Sequence, residues 1–147
     1  MKKFILMGVF AMMVALSSFA HTGEEVNENV LRAFNREFAD ARDVNWEIGK
    51  TVLKATFRLN GQVMFAYYRE AGDLVAVTRN IQSGQLPITL LADLKKNYQE
   101  YWITDLFEIS ADDNTNYYIT LQNADQTIIL KSSGVQGWQT FRKQKAS

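Results

Sequence analysis

Apolar side chains recur at three- and four-residue spacing through Val30, Leu31, Phe34, Phe38 and Ala41, with Glu28, Arg32, Asn35, Arg36 and Asp40 between them. That period predicts an amphipathic helix of about four turns. The period then changes to two. Val44, Trp46 and Ile48 alternate with Asn45 and Glu47, and Leu53, Ala55, Phe57 and Leu59 alternate with Lys54, Thr56 and Arg58, as in half-buried strands. Asn60-Gly61 is a strong hairpin signal that returns the chain into Gln62 to Tyr68, and Glu70-Ala71-Gly72-Asp73 turns it again into Leu74 to Arg79. The predicted unit is one helix followed by an antiparallel meander of four strands.

Ser83-Gly84-Gln85 interrupts this pattern, and the only proline, Pro87, sits where a first helical turn tolerates it. Leu91, Leu94, Tyr98, Tyr101 and Trp102 supply a second apolar helical stripe. Alternating runs follow through Ile103 and Phe107-Glu108-Ile109, through Tyr117, Ile119 and Leu121, through Thr127 to Lys131, and through Gly137 to Arg142. Turns at Asp112-Asp113-Asn114 and Asn123-Ala124-Asp125 separate them. Trp46-Glu47-Ile48 corresponds to Phe107-Glu108-Ile109, and Phe57-Arg58-Leu59 to Ile119-Thr120-Leu121, at a spacing of about sixty residues. The order implies two αβ4 repeats, about 24–82 and 86–145, within one α+β domain whose two helices cover one face of an antiparallel sheet. One continuous eight-stranded sheet is a natural form of that arrangement.

The free face of such a sheet depends on the first hairpin. A two-residue Asn60-Gly61 turn sets Phe57 opposite Met64 and places Val63, Phe65 and Tyr67 beside Lys54, Thr56 and Arg58, an aromatic patch with basic neighbours. A three-residue loop with Gly61 as the bulge residue instead sends Val63, Phe65 and Tyr67 into the core with Leu53, Ala55 and Phe57. Hydrophobic burial favours the second register. In either, adjacent strand residues point opposite ways, so one of Tyr67 and Tyr68, and one of Tyr117 and Tyr118, lies on the open face. These four tyrosines are the candidate protein-binding residues, since Tyr is rigid and amphipathic, although cross-strand packing also accounts for them.

Residues 1–20 change the picture by assigning a compartment. Lys2 and Lys3 precede an uncharged run from Phe4 to Leu16, shorter than the roughly 20 residues of a membrane-spanning helix. Small residues at Ser18 and Ala20 then make a signal-peptidase site, followed at once by polar sequence from His21. The expectation is a cleaved signal peptide, a mature domain 21–147 with formal charge −2, and release into the periplasm or the extracellular space without a stable membrane anchor. With no cysteine in the chain, lipid attachment and thiol chemistry are excluded. Dispersed basic residues offer no electrostatic footprint for nucleic acid.

His21 is the sole histidine, which excludes Ser-His-Asp and Cys-His triads and zinc sites built from His and Cys. Asp112, Asn114 and Asn116 match the first ligand positions of a calcium loop, but Tyr117 and Asn123 occupy places that need Gly and Glu, so a hairpin turn explains them better. Glu47 and Glu108 occupy equivalent places in the repeats. They suggest a carboxylate pair only weakly, since each reads as a residue of a solvated outer face. No phosphate loop or dinucleotide fingerprint is present, and no cofactor is implied.

Ala33-Phe34, Phe38 to Ala41, Val44-Asn45-Trp46-Glu47, Lys54-Ala55-Thr56-Phe57 with Asn60-Gly61, Ala66-Tyr67-Tyr68 and Gln85-Leu86-Pro87 together resemble the secreted PepSY-like proteins, whose fold is like that of the beta-lactamase inhibitor protein. The resemblance spans essentially the whole mature chain. It implies a non-enzymatic, protein-binding or regulatory, inhibitor-like module of the bacterial cell envelope. Its partner would be an envelope or extracellular protein held on the open sheet face. Carriage of a small apolar ligand or envelope component, in a cavity between helices and sheet, is the alternative. Export makes one direct prediction: amino-terminal sequencing of the secreted protein should begin at His21, and an amino terminus at Met1 would overturn the cleavage.

Overall fold

The computed structural model describes residues 25–146, so the signal segment lies outside the described residues. Helix α1 (Glu28–Glu37) is followed by β1 (Arg42–Ile48), β2 (Leu53–Leu59), β3 (Gln62–Tyr68) and β4 (Leu74–Asn80). A 3-10 turn (Ser83–Gln85), helix α2 (Ile88–Asn97) and strands β5 (Trp102–Ala111), β6 (Asn114–Gln122), β7 (Gln126–Ser132) and β8 (Gln139–Lys145) complete the chain. The eight strands lie in one sheet in chain order, β1 to β8. The chain divides into two compact units, up to Thr78 and from Arg79, so the division falls inside β4.

In the first unit Asn27 caps α1: its Oδ1 accepts from Val30 N–H at 3.0 Å, and its Nδ2 donates to the Glu70 carbonyl at 2.8 Å. One asparagine thus satisfies an orphan donor of the helix and ties the helix to the β3–β4 turn. Val30, Ala33 and Phe34 are buried on one stripe of α1, against Leu53, Ala55, Phe57, Ala66 and Tyr68. The Phe34 ring stands edge-on to Phe57 (5.0 Å, 84°) and to Trp46 (5.2 Å, 72°), a geometry that adds to its area burial. Helix α1 is shorter than its sequence period suggests. Phe38 closes it by donating to the Phe34 carbonyl, and Ala41 lies outside it.

The β2–β3 hairpin takes the register that burial did not favour in the sequence. Phe57 pairs with Met64 and Leu59 with Gln62, which leaves Asn60-Gly61 as a two-residue turn with φ of +50° and +79°. Positive φ at both positions matches the right-handed twist of the flanking strands, and Asn-Gly reaches it at little cost. This local geometry decides the pairing. Met64, Ala66 and Tyr68 therefore join the core under α1, and the expectation that Val63, Phe65 and Tyr67 lie there is corrected.

In the second unit Leu90 and Leu94 of α2 bury against Leu106, Ile119, Leu121, Ile128 and Leu130. Pro87 directly precedes α2, and its carbonyl accepts from the Leu90 and Leu91 N–H groups. Trp138, from the β7–β8 connection, donates its Nε1–H to the Leu90 carbonyl at 3.0 Å and so holds the helix down. Helix α2 ends at Asn97, so Tyr98 is its C-cap and Tyr101 lies beyond it. Trp102, expected on the helical stripe, opens β5 and is 54% exposed. Strand β8 runs from Gln139 to Lys145, further along than the sequence pattern placed it.

Gly72 (φ +96°) tests the seam between α1 and the β3–β4 turn, because a Cβ there would sit 2.9 Å from the Asn29 carbonyl oxygen. Gly72→Ala should lower stability by about 2 kcal/mol or more in a urea titration, from the left-handed backbone and this clash together. An unchanged midpoint would refute the seam.

Candidate functional site

Strand parity sorts the four candidate tyrosines. In the first unit Tyr68 pairs with Leu53 on the side covered by α1, and Tyr67 pairs with Lys54 on the side turned away. In the second, Tyr117 packs against the core under α2, and Tyr118 faces away beside Phe107. Within each unit, one tyrosine of the adjacent pair thus lies on the side turned away from that unit's helix.

Tyr68 is fully buried, and its hydroxyl donates to Glu37 Oε2 at 2.6 Å. Burial and that carboxylate push its ionisation well above the ordinary phenol range. Its role is to lock β3 to the end of α1. Tyr67 is 5% exposed, and burial pushes its phenol up to about 12 against an opposing hydrogen bond from Thr78. Tyr118, 2% exposed, is stacked on Phe107 (5.3 Å, 12°) and edge-on to Phe141 (5.6 Å, 88°), and burial pushes it up to about 12 as well. Neither tyrosine offers much surface of its own.

What is accessible on the first unit's helix-free side lies around Tyr67. Val63 is 38% exposed, Arg58 is exposed, and Phe65 and Thr56 are half-buried. Lys54 Nζ stands 5.3 Å from the Phe65 ring centroid and 2.7 Å from Glu47 Oε2. Across the hairpin, Lys54, Thr56 and Arg58 of β2 stand beside Tyr67, Phe65 and Val63 of β3. In the sequence reading Val63 and Phe65 belong to this face only in the less favoured hairpin register, and to the core in the favoured one.

Glu47 and Glu108 do not occupy equivalent places. Glu47 faces away from α1, whereas Glu108 points to the α2 side of its strands and pairs with Arg79 through two hydrogen bonds, 3.0 and 3.1 Å. Each first strand carries a bulge near its start, between Arg42 and Asn45 in β1 and between Ile103 and Asp105 in β5, and counted from it Glu47 is level with Phe107, one residue before Glu108. One added residue reverses the alternation, so Leu106 enters the core while Phe107 and Ile109 turn to the other face. Each carboxylate is held by its own cation.

Asp112 and Asp113 form a two-residue turn with φ of +49° and +60°, and Asn114 donates to the Asp112 carbonyl at 2.8 Å. Among the described residues no cluster of three or more His, Cys, Asp or Glu side chains is placed to hold a metal. No helix among them is long and apolar enough to cross a membrane.

One helix on β1–β4, a second on β5–β8 and a single sheet in chain order define an α+β fold of the beta-lactamase-inhibitor-protein-like type. A DUF2874 family protein from Bacteroides ovatus superposes with TM-score 0.72 at 16% identity, covering 84% of this chain and 89% of that one. A BLIP-like protein from Bacteroides fragilis gives TM-score 0.71 at 13% identity, covering 84% and 88%. A second DUF2874 family protein, from Bacteroides uniformis, gives 0.71 at 12% identity, covering 82% and 90%. No protein-family profile matches the chain, and no curated protein sequence does. The likeness is one of fold.

The late phenols have a measurable consequence. Tyr67 and Tyr118 favour their neutral form in the folded state, so their contribution to stability is complete below pH 10 and declines as pH rises through about 12. A 295 nm titration of the folded protein should show tyrosines still protonated at about pH 11, and Tyr118→Phe should remove part of that late phase. Complete ionisation by about pH 11 with the fold intact would contradict the burial.

Proposed function

We propose that the protein is an exported, non-enzymatic protein-binding module of the bacterial cell envelope, acting in the periplasm or outside the cell. The supporting observation is the composition of the β2–β3 face turned away from α1. The two-residue turn sets Val63, Phe65 and Tyr67 beside Lys54, Thr56 and Arg58 on that face. An aliphatic and aromatic centre with cations at its margin matches the anatomy of transient protein interfaces. Tyr67 acts from beneath, packed under its neighbours, and stiffens the face, while Val63, Phe65 and Arg58 make the contact; Tyr118 has the same buried place on the helix-free side of its own unit.

The fold supports this reading as an analogy, because a structural neighbour is described as BLIP-like. Signal-type sequence before His21 supports the export. The carboxylates that sequence spacing suggested for acid-base work are held by Lys54 and Arg79, an arrangement that fits a structural role better than proton transfer.

The test is capture. The mature chain from His21, immobilised and exposed to envelope extract from its source, should retain one protein reproducibly, and a Val63→Asp/Phe65→Ala double variant should weaken retention about tenfold. Circular dichroism and melting of the variant establish that it is folded. Equal retention by a folded variant would move the contact off this face, and retention of nothing above background would reject the binding-module reading.

A further inference from the structure

The core beneath α2 is not closed at the end where the helix stops. Between the last turns of α2 and the beginning of β5 lies a solvent-connected cavity of about 340 Å³, lined chiefly by Leu91, Leu94, Tyr98, Tyr101, Ile103 and Lys95. All of these belong to the second unit. Because α2 ends at Asn97 and the chain turns before β5, Tyr98 and Tyr101 stand as a wall, their rings tilted 64° at 6.0 Å. Tyr101 is pinned there by a hydrogen bond that Gln126 donates to its hydroxyl. Ile103 pairs with Leu121, which belongs to the core under α2, yet Ile103 is 44% exposed.

Apolar side chains facing an open hollow lose contacts that a close-packed core would supply, and an apolar guest restores them. The volume sets the guest's size. A cavity of about 150 Å³ accommodates benzene, so roughly twice that volume suits a body of about eight to ten carbons. Charge sets its polarity, since Lys95 is the sole charged residue in the lining. The remaining polar groups, Ser83, Gln99 and the two phenols, are neutral hydrogen-bonding partners.

We propose that this cavity binds a free medium-chain monocarboxylate, its chain lying along Leu91, Leu94 and Ile103 between the tyrosine wall and the helix, its carboxylate held by Lys95. The site is separate from the β2–β3 face, so the two activities stand or fall independently.

The mature chain, labelled with ¹⁵N, is titrated with decanoate below its micellar concentration, with decanol as the neutral comparator. Saturable shifts should centre on Leu91, Leu94, Tyr98, Tyr101 and Ile103. Lys95→Gln should weaken decanoate about fivefold and leave decanol unchanged, as expected for a partly solvated ion pair. Ile103→Asp, whose spectrum should otherwise remain native, should abolish both. Absence of saturation, shifts centred elsewhere, or an unchanged decanoate affinity in Lys95→Gln would each overturn the assignment. If Ile103→Asp unfolds the protein, the Lys95→Gln comparison alone decides.

Discussion

Every side chain of β2 and β3 owes its face to the backbone of two residues, Asn60 and Gly61. Both adopt positive φ, a conformation that costs an ordinary L-residue 1–2 kcal/mol but is accessible to Asn and free to Gly. The tight turn leaves one pairing open to the strands, Phe57 with Met64, and a period of two propagates that choice along the hairpin. Tyr68 then reaches Glu37 on α1, Ala66 leaves room for Phe34 and Phe57, and Phe65 and Val63 are turned to the opposite face. A one-residue slip would exchange the core with the surface.

Burial could have been served by either register, and the outcome shows how local backbone energy and tertiary packing share the decision. Moving Val63, Phe65 and Tyr67 inward would bury more apolar area, a gain of about 25 cal/mol per Å². The core under α1 is instead filled by Met64, Ala66 and Tyr68, whose mixed volumes fit around a closely set aromatic group centred on Phe34. Tyr68 brings a hydroxyl that a buried site tolerates because Glu37 accepts from it at 2.6 Å. The residues left on the far face carry the chemistry that the proposed contact uses.

The bulge at the start of β5 plays the corresponding part in the second unit. Ile103 faces α2, the extra residue shifts the register, and from Leu106 onward the alternation is inverted. The inversion brings Phe107 to Tyr118 and Glu108 to Arg79. It also leaves Ile103 at the mouth of the hollow where α2 ends, so one local irregularity sets both the aromatic stack of one face and the apolar lining of the other.

The order of elements was legible in the sequence because helix and strand periods depend on which side chains are apolar, a property each residue carries by itself. Asn60-Gly61 announced a hairpin, Pro87 announced the approach to α2, and the single-histidine, cysteine-free composition excluded whole classes of chemistry. Faces were another matter. Which of Tyr67 and Tyr68 meets α1, and whether Phe107 or Leu106 enters the core, turn on a single residue of register. Bulges shift that register without a distinctive composition; the Ile103–Asp105 bulge contains only an ordinary Thr104. The partnership of Glu108 with Arg79, 29 positions away, likewise exists only once strands are paired. The sequence by itself determined the order of the elements and the α+β class; the tertiary structure decided the faces, because hydrogen-bond pairing between strands, a non-local constraint, sets the parity of every residue that follows.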